Sequence, residues 1–72
     1  MTWKESVIAY AAQMLNSTET TISYEAANHP NHSAFTNMNQ SLQRAAQSLV
    51  FSIREDRNAE YDFFKSHPEL NP

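Results

Sequence analysis

Glycine and cysteine are both absent from this chain, and each absence removes whole classes of activity. Glycine enters left-handed backbone conformations without steric cost and lets backbone approach a phosphate closely. Without it there is no P-loop, no dinucleotide-binding G-x-G-x-x-G, no nucleophile elbow and no Asn-Gly or Asp-Gly hairpin turn. Without cysteine there is no disulfide framework, no zinc–thiolate site and no thiol nucleophile. Charge is sparse too: five Lys and Arg against eight Asp and Glu give a net charge of −3. Duplex nucleic acid needs clustered basic residues, whereas Lys4, Arg44, Arg54, Arg57 and Lys65 are scattered. So weak a field does not support mimicry of DNA either. No apolar run approaches a membrane span, and the N-terminus lacks the basic-then-apolar pattern of a secretory signal. The expectation is a cytoplasmic protein with no cofactor, no duplex nucleic-acid partner and no membrane partner.

Seventy-two residues make one domain. A chain of this size buries only about 60% of its unfolded surface. With no disulfide or zinc–thiolate support, tight helix packing or self-association must hold it together.

Patterning predicts helices. Thr2-Trp3-Lys4-Glu5 reads as a capping box at the head of a helix over 1–16. Trp3, Val7, Tyr10, Ala11 and Met14 form one stripe of it, widened by Ile8 and Leu15. Asn16 is the left-handed residue expected to end it. Ser17 to Thr21 reads as a loop or a capping stretch; Ile22-Ser23-Tyr24 alternates like a strand, but one strand cannot stand alone, and a short helix ending at Asn28 is the expectation. His29-Pro30-Asn31 is a break. Ser33 or Asn37 then starts a long helix, whose stripe is Phe35, Met38, Leu42, Ala45, Ala46, Leu49 and Ile53, close to a heptad seam. Asp56, Arg57 and Glu60 interrupt the stripe before Phe63 and Phe64. Either the helix runs straight past its own core, or it breaks near Arg57-Asn58 and folds back; continuity is preferred because no strong breaker is present. The fold class is all-α, a helical hairpin or three helices spanning 1–67 with the longest in the C-terminal half, and 68–72 a flexible tail.

Few residues offer chemistry. His29 and His32, with Glu25 upstream, are the only arrangement resembling a metal site, yet they span a proline break and lack the helical spacing of H-E-x-x-H. They read more simply as loop histidines. No Ser, His and Asp fall in a catalytic signature. Asp56, Glu60 and Asp62 read as solvation of a helix end rather than a carboxylate pair. Trp3 is expected to cover the far end of the long helix, against Phe63 or Phe64.

Phe51 is more telling, lying about 160° around the helix from the apolar stripe, among Arg44, Gln47, Glu55 and Asn58. A large aromatic on a polar face marks a contact with a partner, unless it is an isolated exposed apolar residue, which is common, or lies beneath the short second helix. These residues imply a non-enzymatic protein-binding module in which Phe51, Arg44, Gln47 and Glu55 meet a larger protein. Phe35, Met38, Leu42, Ala45, Leu49 and Ile53 are expected to join copies of the chain. Small helical proteins of this size include regulators and inhibitors, some carried by phages and mobile elements. The alternative is a small anionic ligand such as a nucleotide, held between subunits by Arg54, Arg57 and Tyr61.

Overall fold

The computed structural model describes residues 1–70. Its elements are α1 (Trp3–Met14), α2 (Glu19–Ala26), α3 (Ser33–Thr36), α4 (Leu42–Ser66) and a 3₁₀ turn, Pro68–Leu70. The fold is all-α, with the longest helix in the C-terminal half and no strand among the described residues. No helix of the described residues is long and apolar enough to cross a membrane.

Local chemistry sets the first two helices. The Thr2 hydroxyl accepts from the Glu5 amide at 3.2 Å while the Glu5 carboxylate accepts from the Thr2 amide, so the capping box is complete. Those Thr2 bonds hold the Glu5 carboxyl below its usual pKa. Asn16 takes φ 51°, and the Ser17 amide reaches back to the Ala12 carbonyl, closing a Schellman turn without glycine. Thr18 caps α2 through the Thr21 amide. The helix there ends at Ala26, two residues before the expected Asn28.

The core lies between α1 and the first half of α4, with α2 and α3 closing its ends. Val7, Ala11, Ile22, Ala34, Ala45, Ala46, Leu49 and Ile53 expose almost nothing. Alanines at the contact let α1 and α4 approach closely, and each large side chain buried there contributes about 1.5–3 kcal/mol.

Four expectations need correction. The long helix begins at Leu42, capped by the Ser41 hydroxyl at the Arg44 amide, and not at Ser33 or Asn37. Ser33 instead opens the short α3, and Asn37 folds its side chain onto the Asn39 amide. Phe35 and Met38 therefore do not lie on the α4 stripe. Phe35 packs on the core from α3 beneath Lys4, whose Nζ is 5.2 Å from its ring, and Met38 lies exposed in the loop. Most of the seam expected to join copies is buried within one chain: Ala45, Leu49 and Ile53 expose no surface, Leu42 and Phe35 keep part of theirs, and Met38, off the helix, is exposed. Finally, Trp3 does not reach Phe63 or Phe64; its indole N–H donates to the Ala34 carbonyl at 2.8 Å, pinning α3 to α1.

Beyond Ile53, α4 runs on unbroken through Arg57-Asn58. Arg54 to Ser66 extend about 20 Å at 1.5 Å per residue, and every side chain there except Phe64 is exposed. The molecule is correspondingly elongated, 44 × 20 × 17 Å. The expected loose tail starts as the Pro68–Leu70 turn, and its last two residues lie outside those described.

Candidate protein-binding face

Phe51 sits at mid-length on α4, opposite the buried stripe, and is 64% exposed. Among the described residues nothing folds over it. It forms the ridge between two grooves. The first, about 430 Å³, is lined by Met14 of α1 and by Gln47, Val50, Phe51 and Arg54 of α4. The second, about 550 Å³ and more polar, runs from His32 and Ser33 across Arg44, Gln47, Ser48 and Ser52. Arg44 and Gln47 thus lie beside Phe51, as the helical wheel predicts, and Glu55 is exposed one turn on. Met14, expected only on the apolar stripe of the first helix, also lines the first groove. Arg44 and Arg54 are the residues of fixed charge lining the two grooves, so an apolar site with a basic rim results.

Within the single chain, the three residues expected to hold an anion between subunits do not meet. Arg57 is committed to Glu25 of α2: Nε–H donates to one carboxylate oxygen at 2.8 Å, and the second guanidinium nitrogen to the other at 2.5 Å. That bond raises the Arg57 pKa further, against a small opposing effect of burial. Arg54 and Tyr61 remain exposed, two turns apart on α4.

The histidines are structural. His29 bonds Asp56 at 2.5 Å, tying the α2–α3 connection to α4. His32 is the N-cap of α3: its Nδ1 accepts from the Ala34 amide at 3.0 Å. An Nδ1 that accepts carries no proton, so the neutral ring is protonated at Nε2. That Nε2–H donates to the Ser52 hydroxyl at 2.7 Å. Burial, with help from the neighbouring His29, lowers the His32 pKa and keeps the ring neutral. The Ser52–His32 pair is thereby the wrong tautomer for a general base, which must accept the serine proton rather than donate to it. His29 and His32 point to different partners, and no cluster of three His, Asp or Glu able to hold a metal occurs among the described residues. Asp56 is spent on His29, while Glu60 and Asp62 are exposed.

His32 was not recognisable as a cap, because histidine is not among the usual capping residues. Glu25–Arg57 and His29–Asp56 were equally hidden, since partners 32 and 27 residues apart meet only through the tertiary fold. No protein family, curated protein or solved structure matches this chain.

Proposed function

We propose that this protein is a non-enzymatic helical binding module that engages a larger protein through the Phe51 face of α4. The observation that carries this reading is Phe51 itself. It is a large aromatic held rigidly at the middle of a packed helix, left two-thirds uncovered, with a groove on either side. Aromatic and Arg side chains dominate binding energy at protein interfaces, and Arg44 and Arg54 flank this one. Their charge and the apolar Met14–Val50 floor suit a partner segment with an apolar or aromatic anchor and acidic neighbours. Binding there leaves the core untouched, so the module can block, recruit or modulate its partner without rearranging.

The test is affinity capture with wild-type protein and Phe51→Ala side by side, identified by mass spectrometry. A partner retained by wild type and lost by the variant, with both equally stable, supports the reading. A partner retained equally by both removes Phe51 from the interface. The anionic-ligand alternative has lost Arg57 to Glu25, and no observation favours it.

A further inference from the structure

The four residues of α3 are too few to persist as a helix by themselves in water. Among the described residues, two side-chain hydrogen bonds carry this turn to the rest of the fold. One is the Trp3 indole bond from α1 to the Ala34 carbonyl at 2.8 Å; the other is the His32 Nε2–H bond to Ser52 of α4 at 2.7 Å. The same His32 ring caps the turn, its Nδ1 accepting from the Ala34 amide at 3.0 Å. Both nitrogens of one ring are thus engaged, and only the neutral tautomer with a bare Nδ1 fits. A second proton sets an N–H against the Ala34 N–H. Flipping the ring brings no relief, because an imidazolium donates from both nitrogens. Turning it off the amide swings Nε2 away from Ser52, so cap and tether fail together.

The surroundings give the added charge no partner. His29 meets His32 edge-on, 6.0 Å between ring centroids, and its own Nε2 holds Asp56 of α4. Arg44 of α4 lines the same groove as His32. Lys4 of α1 lies over the Phe35 ring, which packs edge-on to His32. The one acid among these neighbours is already bonded, and the other three are basic. Burial and His29 hold the His32 pKa below its ordinary value, so the capping form persists at neutral pH.

We propose that α3 is an acid-released latch: a proton on His32 Nδ1 detaches Ser33–Thr36 from α1 and α4 while the core between those helices stays folded. Both ends of the moving segment keep their anchors. A proton on His29 makes its bond to Asp56 charge-assisted and therefore stronger. Ser41 caps α4 without any help from α3. Movement is confined to residues 30–40. Release uncovers Ala34 and Phe35, and it removes the His32–Ser33 wall of the polar groove beside Phe51. The latch stands whether or not the Phe51 face binds a partner.

Trp3 is the only tryptophan, and it donates to the residue that moves. Its emission maximum and far-ultraviolet circular dichroism, followed together on the full chain from about pH 8 to about pH 5, test the proposal. The maximum should move reversibly to longer wavelength with a midpoint below about 6.5. Helicity should fall by no more than the share of a four-residue helix. The maximum is the readout because an imidazolium quenches indole intensity without moving its emission. His32→Asn caps without titrating and should hold one maximum across the range. NMR titration of the wild-type His32 ring, which needs no variant to fold, should share the emission midpoint. A fixed wild-type maximum, an equal shift in His32→Asn, or a ring midpoint apart from the emission midpoint overturns the latch. Helicity lost in step with the emission shift overturns it as well, because the whole fold is then opening.

Discussion

His32 gives the sharpest handle on how the fold is held. Its unprotonated Nδ1 caps α3 and its Nε2–H bonds Ser52, while the Ala34 it caps also accepts the Trp3 indole bond. Replacing His32 with Ala removes an N-cap, worth about 1 kcal/mol, and a side-chain hydrogen bond, worth about 1 kcal/mol more. The total loss at neutral pH should be about 2 kcal/mol, a large share of the ~3–5 kcal/mol that a core of this size supplies. Protonation does the same damage reversibly. Folding lowers the His32 pKa, so the unfolded chain takes up its proton first, near its ordinary value of about 6.5. The contribution is fully present above that value and is lost as pH falls from there through the lower folded value. The loss should stay below about 2 kcal/mol, because past that point the cap detaches instead. Urea unfolding followed by circular dichroism, at about pH 8 and about pH 5, measures the fall. His32→Asn is the control, since Asn caps without titrating, and its stability should fall less over the same interval. Equal falls for wild type and His32→Asn would refute the latch, because the titration would then belong to other groups.

Leu49→Asp should unfold the protein outright: Leu49 exposes no surface, and an unpaired carboxylate there outweighs the whole core. A folded variant in circular dichroism would displace the seam from the interior. Trp3→Phe keeps the ring but deletes the Ala34 bond, and should lower stability by about 1 kcal/mol in urea unfolding; an unchanged midpoint would mean that α3 is held by other contacts. Glu25→Gln breaks a partly exposed ion pair and should cost about 1 kcal/mol or less, diminishing further in high salt. A larger, salt-insensitive loss would place that pair in the core.

Legibility followed locality. The capping box at Thr2 and Glu5 and the left-handed Asn16 were visible because their partners lie within a few residues. The stripe Leu42, Ala45, Ala46, Leu49 and Ile53 was visible because helical periodicity imposes it, and so was the place of Phe51 on the opposite side; that no second helix covers it was not. The start of α4 was not legible. Ser33, Asn37 and Ser41 can all cap a helix, and only the packing of Ala34 and Phe35 against α1 assigns the first to a separate turn. Burial of the seam was misread for a related reason. A heptad stripe looks the same whether its cover is a second copy or α1 of the same chain, and the alanines that admit α1 do not announce which. The partner of Arg57 was hidden because Glu25, 32 residues away, comes beside it only when α2 folds onto α4.

Phe51 faces outward on α4, where we propose that it is recognised, while the buried Ala45, Leu49 and Ile53 hold the fold. Phe51→Ala, followed by urea unfolding and by binding to the captured partner, tests both halves together. Stability within about 0.5 kcal/mol of wild type, with affinity lower by about 2 kcal/mol or roughly thirtyfold, is the expected result. A loss of about 3 kcal/mol or more in stability, the signature of a buried phenylalanine, would put Phe51 in the core and contradict the account.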